Sequence, residues 1–85
     1  MNNNKLLVVV SVPLLEEEYD IYIPINKKIG TIKNIIIEQI ASITEVDISL
    51  LKQLSLYDKY TTNILHNDML VKQSEISNGS KILLM

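Results

Sequence analysis

Few side chains in this sequence have the chemistry of a catalytic or metal site. His66 is the single histidine, and it lies in a polar turn with Asp68, without a serine or cysteine that it would activate as a base. Two ligands in one loop make a poor metal site, since zinc usually takes four. The absence of cysteine excludes disulfides, thiolate metal sites and cysteine nucleophiles. We therefore predict no catalytic residue, no cofactor and no metal.

The remaining candidate chemistry is a run of three carboxylates, Glu16, Glu17 and Glu18. Such a run can serve as an acidic handle for a basic partner, but it is more often the solvated tip of a hairpin. Gly30 and Gly79 are isolated, so no glycine-rich loop is present to hold a phosphate. We interpret the acidic run as a hairpin tip and keep the handle as the alternative.

The overall charge and composition exclude further classes of function. The 85 residues carry a net charge of -2, with eight scattered lysines and no arginine, so no basic stripe for nucleic acid is present. The apolar run after Lys5 ends at Pro13, too short to cross a bilayer, and no cleavage signal follows it. With 47% hydrophobic residues, we expect one domain over 1–85, disordered at 1–4, in a cytoplasmic protein.

The first half of the chain predicts a β-hairpin followed by a helix. Residues 6–12 are Leu- and Val-rich and predict a strand, 13–18 a turn, and 19–25 a second strand with clean alternation. Thr31 is a plausible helix N-cap. The isoleucines that recur after it at helical spacing predict a buried stripe. These are Ile32, Ile36, Ile40 and Ile43.

The second half predicts short strands joined by turns. Residues 44–51 form a linker with a helical turn from Asp47, 53–57 a third strand, and 64–65 a minor strand. Asn78-Gly79 is a strong turn signal, and 81–85 form the last strand. We expect this strand to pair beside the first, in the sheet interior. The predicted class is α+β, a mixed sheet of four to five strands with one helix across one face.

This order of elements resembles ubiquitin and its β-grasp fold. The helix entry at 31–35 and the segment 63–84 carry the likeness, with Asp68, the Leu70 plug and Asn78-Gly79-Ser80 in ubiquitin-like order. Among ubiquitin-like proteins, the helix entry at 32–36, the closing segment 76–84 and the absence of a tail resemble the YukD/EsaB-like family. That resemblance implies an accessory or regulatory factor of type VII secretion in Gram-positive bacteria, with components of the machinery as partners at the inner face of the cell membrane.

The C-terminal residues indicate whether this protein can be conjugated as ubiquitin is. Conjugation needs a terminal glycine carboxylate on a flexible tail, because the narrow catalytic sites involved exclude side chains. Here the sequence closes with Leu83-Leu84-Met85 inside the last predicted strand. We therefore expect a protein that is not conjugated, with a sulfur-carrier or modifier-type β-grasp protein as the alternative.

In a β-grasp the sheet face opposite the helix is open, and we predict that partners bind there. Exposed apolar patches on small domains often mark interfaces, and tyrosine and methionine are frequent anchors. Ser55 is expected where ubiquitin has the centre of its aliphatic docking cluster. The patch also suits self-association, so a homo-oligomer is a further alternative. The predicted protein-binding residues are Leu7, Val9, Tyr22, Ser55, Tyr57, Leu83 and Met85.

Overall fold

The computed structural model describes residues 4–85, which form four strands and two helices around a single core. In chain order the elements are β1 Lys5–Val12, β2 Glu17–Pro24, α1 Ile29–Thr44, α2 Ile48–Leu51, β3 Leu56–Asp58 and β4 Lys81–Leu84. The sheet is mixed, with the order β2-β1-β4-β3. Strand β1 pairs antiparallel with β2 and parallel with β4, and β3 pairs antiparallel with β4.

This architecture confirms the predicted mixed sheet with one main helix across one face. The last strand lies beside the first in the sheet interior, as the sequence predicts. The predicted minor strand at 64–65 is reduced to an isolated bridge between Ile64 and Tyr57. Within residues 4–85, no helix has both the length and the apolar character needed to span a membrane.

The core consists entirely of aliphatic side chains. The helix-facing residues of β1 alternate with residues of the open face, as a two-residue strand period requires. Among the described residues no polar or charged side chain is buried. The fully or nearly fully buried residues are Val8, Val10, Val12, Ile21, Ile23, Ile29, Ile32, Ile36, Ile37, Ile40, Leu51, Leu56, Val71, Ile82 and Leu84.

The start of α1 differs from the prediction. Thr31 is not the N-cap, since the helix begins at Ile29 and Lys28 takes the cap position without a side-chain hydrogen bond. Instead the backbone of a distant loop satisfies the first helical N–H groups. Ile29 donates to the Met69 carbonyl at 2.8 Å, and Gly30 donates to the Asn67 carbonyl at 3.0 Å. Gly30 also permits this approach, because an added Cβ would lie 3.3 Å from the Asn67 side chain.

The end of the predicted buried stripe on α1 is also wrong. Ile32, Ile36 and Ile40 are fully buried, but Ile43 is 67% exposed. The helix continues to Thr44, one residue further. Helical spacing alone does not reveal which of the periodic side chains the core covers.

Strand β2 begins earlier than the sequence predicts. A short 3-10 turn at Pro13–Leu15 and the left-handed residue Glu16 complete the reversal. Glu17 and Glu18 then pair with Val12 and Ser11. Two of the three consecutive glutamates therefore belong to the sheet rather than to a solvated tip.

The third strand also differs from the predicted one. Strand β3 is shorter than predicted and begins at Leu56. The predicted disorder at 1–4 concerns residues 1–3, which lie outside the described part of the chain, and Asn4, whose carbonyl accepts the Ile25 N–H at 2.8 Å.

Helix α2 is capped by the residue that the sequence singles out. The Asp47 carboxylate accepts the Ser49 backbone N–H at 3.0 Å and the Ser49 hydroxyl at 2.9 Å. Both hydrogen bonds favour the ionised form, so they hold the pKa of Asp47 below its ordinary value. The predicted helical turn from Asp47 is therefore present, with its cap.

Candidate functional site

The open face of the sheet is made by the side chains that alternate with the core. On β1 these are Leu7, Val9 and Ser11, each half-buried. Val9 and Ser11 lie between fully buried valines and Leu7 precedes one, so these three side chains point away from α1. The face that the sequence predicts for partner binding is thus built by this alternation.

Strand register fixes which residues on this face are neighbours. Tyr22 lies opposite Leu7, and Leu83 lies between Ser11 and Tyr57. Val9 pairs with Lys81, one step along from the Ser11–Leu83 pair, so Val9 and Leu83 are diagonal neighbours on adjacent strands.

The apolar side chains therefore cross the face along a diagonal, here termed the diagonal strip. Its members, from one corner of the sheet to the other, are Tyr22, Leu7, Val9, Leu83, Tyr57 and Met85.

The two ends of the diagonal strip are its most exposed parts. Tyr22 is 63% exposed and Met85 is 49% exposed, whereas the central members are half-buried. Tyrosine and methionine combine apolar area with an adaptable or hydrogen-bonding end, which suits contact with a partner. The strip thus offers two projecting anchors with a flatter aliphatic centre between them.

Ser55 lies at the Met85 end of this face, rather than at its centre. Its backbone N–H donates to the Met85 carbonyl and its carbonyl accepts the Met85 N–H, both at 3.0 Å. These two hydrogen bonds extend the β3–β4 pairing beyond β4, so Met85 is held in the sheet. The central positions belong instead to Val9 and Leu83.

Charged side chains on both sides of the diagonal strip are a feature that sequence reasoning missed. Glu18 and Asp20 project from β2, and Lys59 and Lys81 lie on the side of β3 and β4. The alternation of β2 predicts the position of Asp20 on this face. Lys59, however, falls in a predicted turn and Glu18 in a predicted hairpin tip.

Lys59 and Glu18 form an ion pair, with 3.3 Å between Nζ and Oε2. They project from opposite edges of the sheet, three interstrand spacings apart, or about 14 Å. Both side chains must therefore extend over the central strands. Their side chains are 35% and 49% exposed, so the pair contributes at most about 1 kcal/mol to stability. A partner that docks on this face and displaces the ion pair therefore sacrifices little stabilising free energy.

The candidate metal ligands His66 and Asp68 belong to no larger cluster of ligands in the part of the chain that the structure describes. His66 and Asp68 are both exposed in the loop before Met69. Across residues 4–85, no three histidine, aspartate or glutamate side chains lie close enough to hold a metal ion.

The comparisons with known proteins concern the fold. No protein-family model and no curated protein matches the sequence. Among solved structures, the ubiquitin-like domain of an Arabidopsis thaliana protein has a TM-score of 0.66 and 16% identity, over 96% of this chain and 77% of that one. The C-terminal ubiquitin-like domain of the human 2'-5'-oligoadenylate synthetase-like protein has a TM-score of 0.68 and 19% identity, over 99% and 85%.

A third similar structure is a chain of the MycP5-free ESX-5 inner membrane complex. It has a TM-score of 0.73 and 8% identity, and the match covers 96% of this chain but 21% of that one. At such identities the likeness establishes the architecture and nothing finer. The strand order, the helix across one face and these structural neighbours together show that the chain has the ubiquitin-like β-grasp fold.

Proposed function

We propose that this protein is a non-conjugated ubiquitin-like interaction module that docks a protein partner on the open face of its sheet. The observation that carries the proposal is the diagonal strip, which runs across that face and ends in the exposed Tyr22 and Met85. A contiguous apolar surface on a small domain costs solubility unless a partner covers it. An interaction module of this kind needs no catalytic residue.

The charged residues beside the strip give the docking face an acidic side and a basic side. Glu18 and Asp20 lie on the β2 side, and Lys81 and Lys59 on the other. A partner with an apolar ridge, basic residues toward β2 and acidic residues toward β3 would match it. Such a partner also replaces the intramolecular Lys59–Glu18 pair with intermolecular ones.

We further propose that the partner belongs to a type VII secretion machinery and that the protein acts as its cytoplasmic accessory or regulatory factor. The resemblance of the helix entry and closing segment to the YukD/EsaB-like family supports this. The structural likeness to part of an ESX-5 inner membrane complex chain is consistent with it, since a domain of this fold occurs inside such a secretion complex.

The test combines the capture of binding partners with a measurement of secretion. The tagged protein is expressed in its native host lacking the endogenous copy, and the proteins that co-purify are identified by mass spectrometry. The variants are Tyr22→Asp and Met85→Asp, at the two exposed ends of the strip. Leu50→Asp is the matched control, since Leu50 is also exposed, at 50%, but lies on helix α2 rather than on the sheet.

We expect a secretion component to co-purify with the native chain and the Leu50 variant, and to be lost with the Tyr22 and Met85 variants. Secretion should fall in the same two variants. Recovery of no such component, with secretion unchanged on deletion, contradicts the secretion role. Undiminished binding by both strip variants contradicts the docking surface. Intact-mass measurement of the cellular protein, and of its captured partners, tests non-conjugation.

A further inference from the structure

A second surface lies at the outer edge of β2, next to the open face. Strand β2 is an edge strand of the sheet. Between this edge and the C-terminal half of α1 lies a groove of about 370 Å³. Its lining combines apolar side chains of the strand with the exposed helical Ile43. The lining residues are Glu18, Tyr19, Asp20, Ile21, Gln39, Ile40, Ser42 and Ile43.

The register identifies which backbone groups of β2 point to the outside. The Ile25 N–H donates to the Asn4 carbonyl, so in the β1–β2 register the hydrogen-bonded pairs fall on the odd-numbered residues of β2. The N–H and C=O groups of Glu18, Asp20 and Tyr22 consequently point away from β1. Pro24 has no N–H, and it closes this row of donors at the end of the strand.

Side-chain alternation places apolar residues on the helix side of β2 and carboxylates on the opposite side. Tyr19 and Ile21 point to the helix side, where Ile43 leaves 67% of its surface exposed. Glu18 and Asp20 point to the opposite side. A strand added to this edge would therefore place alternate side chains against an apolar groove and against carboxylates.

We propose that the β2 edge binds an extended segment of a partner protein in which aliphatic and basic residues alternate. The segment pairs antiparallel with β2, since antiparallel ladders are the more stable. Its backbone bonds to Glu18, Asp20 and Tyr22. Its aliphatic side chains enter the groove beside Ile43, and its lysines or arginines lie next to Glu18 and Asp20.

Charge argues for such a segment over a second copy of this chain. Pairing β2 with β2 of another copy would bring Glu17, Glu18 and Asp20 of both copies onto one short ladder. Like charges on neighbouring strands are destabilising. A basic strand converts the same carboxylates into favourable cross-strand pairs.

The experiment uses the whole chain and a defined probe, the peptide Lys-Ile-Lys-Val-Lys-Ile-Lys with blocked ends. Binding is followed by nuclear magnetic resonance titration and by amide hydrogen exchange. In the free protein the amides of Glu18, Asp20 and Tyr22 should exchange faster than those of Tyr19 and Ile21. Saturating peptide should slow the first three. Lack of that protection in a bound complex overturns the proposal.

Two peptide controls separate strand addition from charge attraction. The permuted peptide Lys-Lys-Ile-Val-Ile-Lys-Lys has the same composition without alternation, and should bind about tenfold more weakly. In an antiparallel pair the lysine N–H groups point at β2 and the aliphatic N–H groups point away. N-methylation of the lysines should abolish binding, and N-methylation of the aliphatic residues should not. Equal binding by the two methylated peptides overturns the pairing.

Protein variants locate the site. Ile43→Asp should weaken binding about tenfold, and Asp20→Lys by a similar factor. Ile64→Asp is the matched control, on the opposite edge beside β3, and should leave binding unchanged. Leu83→Ala, on the open face, should also leave it unchanged, which keeps this proposal distinguishable from open-face docking. Peptide-induced shifts centred on Leu83, or a protein dimer in light scattering that Asp20→Lys changes, overturn the proposed occupant.

Discussion

Two adjacent leucines of β4 provide a sharp test of the sheet register. Leu84 is fully buried and pairs with Leu56, whereas Leu83 is half-buried on the open face beside Tyr57. The same substitution, Leu→Ala, at each position removes the same atoms from the same strand. Any difference in stability then reports the direction in which each side chain points.

The magnitudes follow from burial. Leu84→Ala loses the full transfer free energy of the removed atoms and leaves a cavity in a close-packed aliphatic core, which costs about 3 kcal/mol. Leu83→Ala loses part of that transfer term and leaves no enclosed cavity, which costs about 1 kcal/mol. An 85-residue domain has a total stability of roughly 4–13 kcal/mol, so the first change removes a large fraction of it.

The assay is urea unfolding followed by far-ultraviolet circular dichroism, with the slope m compared between variants. The midpoint for Leu84→Ala should fall well below that for Leu83→Ala, at an unchanged m. In thermal melts the first should lower Tm by about 12–24 °C and the second by about 4–8 °C. Equal losses, or a larger loss at Leu83, would refute the register, because a shift by one residue exchanges the two faces.

Three further predictions concern α1, the ion pair and α2. Ile40→Ala should destabilise the protein by about 3 kcal/mol in urea unfolding, whereas Ile43→Ala should change it by less than about 0.5 kcal/mol, because the first is buried and the second exposed; similar costs would contradict the end of the helix contact. A double-mutant cycle of Lys59→Met and Glu18→Gln should give a coupling below about 1 kcal/mol that declines with added salt; a salt-independent coupling would contradict the exposed geometry. Asp47→Ala should lower the urea midpoint at neutral pH. Because the folded pKa of Asp47 is depressed, that loss of stability should disappear as the pH falls below the ordinary carboxyl value of 3.8 and through the lowered pKa. A loss that persists in acid would show a role other than capping.

The sequence by itself determined the architecture. Alternation in β1 and β2, the isoleucine period of α1 and the turn at Asn78-Gly79 were sufficient to place the elements in order. They also separated the core face from the open face, because the pattern of burial repeats every two residues in a strand. The lack of cysteine in these 85 residues rules out disulfides and cysteine nucleophiles among them.

Only the tertiary structure decided features that depend on residues distant in the chain. Thr31 has the residue type of a helix cap, but the carbonyls of Asn67 and Met69 perform that role from another loop. Ile43 fits the helical period, yet it is largely exposed beside the groove at β2. Local patterns carry no information on how completely a neighbouring element covers a side chain.

For the candidate surfaces too, the sequence determined some features and the tertiary structure decided others. Alternation alone places Leu7, Val9 and Leu83 on the open face. The ion pair of Lys59 with Glu18 across that face required the pairing of β2, β1, β4 and β3, which the strand order sets. The groove at the β2 edge likewise exists because α1 crosses the sheet there, a relation that no single segment of sequence encodes.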